Sequence, residues 1–190
     1  MNLDGEVIPH RRIQAVDVSE GERAVINPDS AVVWHYSHED LNGDGEIDFE
    51  EEFHRSLGTP VIKDDILYIP DFSGLFHCLN AKTGKLYWTY DMLAACWGSA
   101  LLVDGKVYVG DEDGDISVFR HSSEPLVAMK KVNGAIVPIN ANAKGEETNM
   151  GSSIYMTPIV ANNVLYIPTK THLWAIHDTG EPRSAVTEEN

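Results

Sequence analysis

Only two cysteines, Cys78 and Cys96, occur in the 190 residues, and they are neither adjacent to each other nor set at zinc-ligand spacing from His. That excludes a disulfide-stapled scaffold and a cysteine-based zinc site, and leaves two buried thiols as the expectation. Basic residues are also scarce: 14 Lys and Arg stand against 30 Asp and Glu, a formal charge of −16. Such a surface repels phosphate backbones and anionic membranes, and no local basic patch offsets it, so no nucleic-acid partner is expected. No apolar run approaches the ~20 residues of a spanning helix, so no membrane span is expected. The opening stretch, Met1 to Arg12, lacks the apolar core of a secretory signal peptide; either the protein is cytosolic or its start lies outside this sequence. No GxSxG elbow, Walker loop or dinucleotide fingerprint is present, Ser99 and Ser117 have no assigned base, and no catalytic residue is expected.

What the chain does have is 43 % hydrophobic residues, enough to bury a core in one domain, and an internal repeat. Residues 59–91, 99–121 and 157–181 align. Each reads as an apolar strand, a turn (Lys63-Asp64-Asp65, Asp104-Gly105-Lys106, Asn162-Asn163), a second strand with a matching tyrosine (Tyr68, Tyr108, Tyr166), a further turn and a third strand (Leu75–Leu79, Ile116–Phe119, Leu173–Ile176). Val, Ile, Leu, Tyr and Trp bounded by Gly, Asp and Asn are strand-and-hairpin chemistry. Tyr68 and Tyr108 lie 40 residues apart, the length of one four-stranded propeller blade. Tyr108 and Tyr166 lie 58 apart, and the surplus falls in a polar stretch from Val137 to Tyr155 that reads as an exposed loop.

The fourth strand of the first full unit is KLYWTYD, 85–91. A near copy, AVVWHYS, stands at 31–37, with Trp34 matching Trp88, and residues 13–26 before it resemble a third strand and its turn. The expected fold is therefore all-β: a β-propeller segment of about four blades of four-stranded antiparallel sheet, two complete and two partial. Its expected divisions are a partial blade over 10–37, an EF-hand-like calcium loop over 40–51, blades over 58–91 and 98–136, a loop insertion over 137–155, a partial blade over 156–181 and a disordered tail over 182–190.

The stretch from Leu79 to Trp88, LNAKTGKLYW, resembles the tryptophan-docking motif of PQQ-like β-propeller repeats, roughly Ala-x-Asp-x-x-Thr-Gly-x-x-x-Trp. The Asp of that pattern has no clear counterpart here. The resemblance implies that Thr83 and Gly84 turn the chain between third and fourth strands, and that Trp88, like Trp34, packs between neighbouring blades. Ala15 to Gly21 keeps part of the motif, residues 120–126 lose it, and 178–180 keep only Asp-Thr-Gly. Fold and function separate in this family, since the repeat occurs in dehydrogenases and in scaffolds alike.

Residues 40–51, DLNGDGEIDFEE, match the twelve-residue EF-hand loop at every diagnostic position. Calcium would take side-chain oxygens of Asp40, Asn42 and Asp44, the backbone carbonyl of Glu46, Asp48 directly or through water, and both oxygens of Glu51. Gly45 supplies the sharp turn, and Ile47 is expected to face apolar surroundings. The preceding residues are already assigned as a strand, so no entering helix is expected, and at most a short exiting helix over Phe49–Arg55. Without paired helices a calcium-sensing switch is disfavoured, and the expectation is a structural calcium.

His35, His38, His54, His77 and His121 form no metal-binding spacing, and His77 reads as a packed strand residue. The run Asp111 to Asp115 is a second cation site or, more simply, a turn with Asp-Gly at its tip. The expected function is a non-enzymatic propeller scaffold or binding module, similar to BamB-type assembly factors, that meets protein or polymer partners at its loops. That resemblance implies an extracytoplasmic location, in the periplasm or at the cell surface. The competing expectation is part of a PQQ-dependent quinoprotein dehydrogenase oxidising alcohols or sugars. PQQ itself is not expected, because many such enzymes use vicinal cysteines and the chain has none. Open blade edges predict self-association.

Overall fold

The computed structural model describes residues 14–17, 23–26, 30–124, 127–132, 135–140 and 147–177. The chain divides into two compact units, 1–35 and 36–190. In the first, β1 (Gln14–Asp17) and β2 (Arg23–Ile26) form an antiparallel hairpin.

The second unit is a series of antiparallel sheets. β3 (Val61–Lys63), β4 (Ile66–Pro70), β5 (Leu75–Asn80) and β6 (Leu86–Asp91) pair in sequence order as one four-stranded sheet. A second sheet opens with β7 (Leu101–Val103), β8 (Lys106–Gly110) and β9 (Asp115–Arg120). An inserted two-stranded pair follows, β10 (Val127–Val132) with β11 (Ala135–Asn140), and then β12 (Glu147–Asn149) completes the second sheet on the outer side of β9. A third sheet holds β13 (Ile159–Ala161), β14 (Val164–Pro168) and β15 (Leu173–Ile176). The 178–180 motif lies outside the described residues.

The turn residues explain the hairpins. Asp64-Asp65, Asp104-Gly105 and Asn162-Asn163 all have φ between 49° and 71°, the left-handed pair that a two-residue type I′ turn requires. Asp, Asn and Gly tolerate that region best, which is why the three units share them. Strand β5 is buried from Leu75 to Leu79, the mark of a strand covered on both faces.

Among the described residues, side chains from adjacent sheets close two cores. Tyr68, Phe76 and Trp88 of the first sheet meet Val107, Val109 and Phe119 of the second, with Cys78, Met92 and Cys96 filling between them. Ile116, Ile154 and Ile167 form the smaller core between second and third sheets. Both cysteines are free and buried, and burial pushes their thiols well above the ordinary range. A clasp of backbone amide to side-chain hydroxyl repeats just before β3, β7 and β13. The Thr59 amide donates to Ser99 Oγ at 2.7 Å, and the Ser99 amide donates to Thr157 Oγ1 at 2.9 Å. Beside it, a Cβ on Gly98 would stand 2.8 Å from the carbonyl carbon of Met156, so the sheets approach closely here because glycine lets them.

Two local expectations are corrected. Residues 31–37 form no strand; Ser37 accepts a hydrogen bond from the Phe53 amide at 2.8 Å and His38 bridges Glu52, so this backbone closes the acidic loop instead. Within Phe49–Arg55, where at most a short exiting helix is expected, the structure has a 3-10 turn, Phe49–Glu51. The stretch expected as an exposed loop, 137–155, holds the end of β11 and all of β12. The sequence insertion is thus a hairpin placed before the second blade's last strand.

Candidate functional site

The acidic loop is built from its own short side chains. Asp40 accepts from the Gly43 amide at 2.6 Å through one oxygen and from the Gly45 amide at 2.9 Å through the other. Asn42 Oδ1 accepts from the Asp44 amide, and Asp44 Oδ1 from the Glu46 amide, each at 2.8 Å. These local bonds are what Asp and Asn offer in place of helix or ladder pairing. Gly43 and Gly45 take φ of 74° and 86°, which bends the chain back on itself. Glu51 is buried, with Oε1 accepting from the Leu41 and Asn42 amides and Oε2 from the Asp48 amide. The loop is closed by a backbone bond from Glu39 N to Glu51 O at 3.0 Å.

The structure therefore brings Asp40, Asn42, Asp44, Glu46, Asp48 and Glu51 into one loop, with every oxygen named above turned to a loop amide. Among the described residues no group of three or more His, Cys, Asp or Glu side chains converges to hold a metal ion. The donor set itself is all oxygen, the chemistry a hard divalent cation takes. Desolvation, then repulsion from Asp44, Glu51, Glu50 and Glu46, raises the Asp48 carboxyl above its ordinary pKa. Ile47 is 38 % exposed, so its expected apolar surroundings are absent.

The loop's exit is tied to the first sheet. Asp71, fully buried in the β4–β5 turn, accepts from the amides of His54, Ser73 and Leu75, and its Oδ2 lies 3.2 Å from His77 Nε2. Burial alone would raise its pKa. The His77 bond and the Leu75 and His54 amides outweigh burial and hold the carboxyl below the usual range. His77 Nδ1 lies 3.1 Å from Thr89 Oγ1, and its ring packs on Phe53 and Tyr36. The matching Asp111 of the second sheet accepts from the Gly114 and Asp115 amides through Oδ1, while Oδ2 is buried and has no hydrogen-bond partner among the described residues. Burial pushes its pKa up to about 6. The run 111–115 is the β8–β9 turn.

The proposed docking residues stand as follows. Trp88 is 4 % exposed, donates Nε1–H to the Ser122 carbonyl at 3.2 Å and stacks on Phe119 of the next sheet at 5.8 Å. Gly84 has φ 73°, and its amide donates to the Asn80 carbonyl. Asn80 Oδ1 accepts from the amides of Lys82 and Thr83, so Asn80 fills the place of the motif's aspartate. Its position three residues before Thr83 was the available signal. Trp34 lies in the first unit, half-buried. His35 and His38 are exposed, and His121 Nδ1 lies 3.0 Å from the hydroxyl of buried Tyr68.

With repeated sheets, I′ turns and a buried inter-sheet tryptophan established, the PQQ_2 family, described as outer membrane protein assembly factor BamB, matches residues 11–124. The chain belongs to this family. It is 25 % identical over 143 residues to outer membrane protein assembly factor BamB of Shewanella oneidensis, covering 73 % of this chain and 31 % of that protein. It is 29 % identical over 106 residues to a 1-butanol dehydrogenase (cytochrome c) of Thauera butanivorans, covering 48 % of this chain and 14 % of the enzyme. Among solved structures, BamB from Moraxella catarrhalis superposes with a TM-score of 0.50 at 21 % identity, covering 69 % of this chain and 36 % of that one. That likeness shows the β-propeller fold. The PQQ_2 chain spans less than a third of the length of the curated relatives it matches. Among its described residues, no helix is long and apolar enough to cross a membrane.

Proposed function

We propose that this chain is a scaffold or binding module of the propeller type, non-enzymatic, that meets protein or polymer partners through its loops in an extracytoplasmic compartment and carries one structural calcium in the loop 40–51. The observation that carries the module reading is the family match across residues 11–124. Ligand spacing, two glycines at positive φ and an all-oxygen donor set support the calcium. Binding would draw Asp40, Asn42, Asp44 and Glu51 off loop amides and, with Asp48, onto the ion, and so stiffen the connection into the first blade. PQQ is no part of this reading. Self-association belongs to it, because Leu173, Trp174 and Ile176 of β15 are 68 %, 41 % and 42 % exposed.

A second reading, part of a quinoprotein dehydrogenase that oxidises alcohols or sugars, draws on the likeness to the 1-butanol dehydrogenase. Adding PQQ and calcium with an alcohol and a dye acceptor separates the two. The module reading expects no shift in quinone absorbance and no dye reduction; alcohol-dependent dye reduction that needs PQQ overturns it. Sedimentation across a concentration series checks self-association, and a strict monomer at every concentration removes that part.

A further inference from the structure

Three aromatic side chains form a row across the three sheets, outside both cores. Phe72 stands in the β4–β5 turn, Trp97 just before β7 and Tyr155 just before β13. Their rings touch in sequence: Phe72 to Trp97 at 4.7 Å and 86°, Trp97 to Tyr155 at 5.4 Å and 73°. Trp97 and Tyr155 are 37 % and 36 % exposed, and Met156 beside them is 61 % exposed. Phe72 is half-buried, so the row runs from a partly covered end to an exposed one, and large apolar side chains held in such a row mark a contact surface more than a packing accident.

The chemistry around the row selects the partner. The Arg55 guanidinium sits 4.7 Å from the centre of the Phe72 ring, so one end already takes a cation from the chain itself. The Trp97 indole N–H donates to Glu112 Oε2 at 3.2 Å, which fixes the indole and sets an exposed carboxylate beside it. The whole chain carries a formal −16, a field that draws basic segments. Successive rings are nearly perpendicular, so they offer no flat platform for a run of sugar rings. They leave notches suited to single side chains. The two ring-to-ring steps reach about 10 Å, roughly three residues of extended chain.

We propose that Phe72, Trp97 and Tyr155, with Glu112 beside them, form a docking row for an extended polypeptide segment that pairs apolar side chains with a lysine or arginine. Apolar side chains enter between the rings, and the cation meets Glu112 and the Trp97 face. This rests on the binding-module reading and names the partner's chemistry.

The test is fluorescence anisotropy of the full chain with two labelled peptides, one alternating Lys and Leu and one alternating Glu and Leu, in 150 mM salt. The Lys-Leu peptide is expected to bind and the Glu-Leu peptide not. Trp97→Ala and Tyr155→Ala, which change no charge, are each expected to weaken binding about tenfold or more, as central aromatic anchors do. Glu112→Gln is expected to weaken it several-fold. Ile62→Ala, an exposed isoleucine of β3 off the row, leaves it unchanged. Circular dichroism verifies that each variant is folded. Wild-type affinity in both Trp97→Ala and Tyr155→Ala overturns the row, because binding would then follow net charge alone. Equal binding of the Glu-Leu peptide, or no binding of the Lys-Leu peptide, overturns it too. None of these results touches the module reading, which fails only on PQQ-dependent oxidation.

Discussion

Replacing Trp88 probes the joint between the first two sheets. Its ring contacts Tyr68, Phe76 and Phe119, each at 5.8 Å, and the side chain is 4 % exposed, so Trp88→Ala removes a full aromatic volume where two sheets cannot easily collapse. Burial loss plus cavity is worth about 3–5 kcal/mol for such a change. Trp88→Phe keeps most of the area and loses the indole bond to the Ser122 carbonyl. That carbonyl still faces the Tyr68 hydroxyl at 3.4 Å and Cys78 Sγ at 3.8 Å, so it is not orphaned, and the cost falls to about 1 kcal/mol. Urea unfolding followed by near-ultraviolet circular dichroism measures both. If Trp88→Ala leaves too little folded protein, the Phe variant still carries the test. An alanine variant within 1 kcal/mol of wild type, or a phenylalanine variant as damaging as alanine, would refute the inter-sheet role.

Further outcomes follow from the same packing. Gly98→Ala places a Cβ 2.8 Å from the Met156 carbonyl carbon, backbone that must shift, and should cost about 1–3 kcal/mol in the same assay, whereas Gly105→Ala meets nothing within 4 Å and suffers only the strain of its φ of 71°. Asp111 has a folded pKa of about 6 against an ordinary 3.8, so its protonated form contributes stability that is fully present below pH 4 and lost as pH rises through 6. Asp111→Asn should remove that component, so stability of the wild type relative to the variant should fall from pH 4 to 6; a constant difference contradicts the burial argument. Asp71 has the opposite sign, with stability present above the ordinary carboxylate range and lost as pH falls through its lowered folded value. Asp71→Asn should therefore flatten the acid limb of the unfolding curve.

Much of this fold is legible in the sequence because hairpins advertise themselves. Asp64-Asp65, Asp104-Gly105 and Asn162-Asn163 announce I′ turns, and the strands beside them alternate or run apolar as their burial requires. The second blade's last strand is not legible, because β12 has three residues and follows an inserted hairpin, so periodicity has nothing to work on. Residues 31–37 mislead for another reason. AVVWHYS copies the composition of β6, but the backbone at Ser37 to Glu39 is spent closing the acidic loop. The loop's ligand types can be read directly, whereas their pairing with loop amides depends on geometry that spacing does not encode. The aromatic row is half visible: Trp97 and Tyr155 each stand eleven residues before the shared tyrosine of their unit, but only the folded chain sets their rings in contact.

Titration of calcium into metal-free protein by calorimetry tests the central claim, a propeller-repeat module holding one structural calcium. The account predicts one site per chain, abolished by Asp40→Ala and by Glu51→Ala. It also predicts a thermal midpoint that rises with calcium, by the equivalent of about 2.7 kcal/mol at a hundredfold excess over Kd. No heat, with an unchanged midpoint, would contradict it.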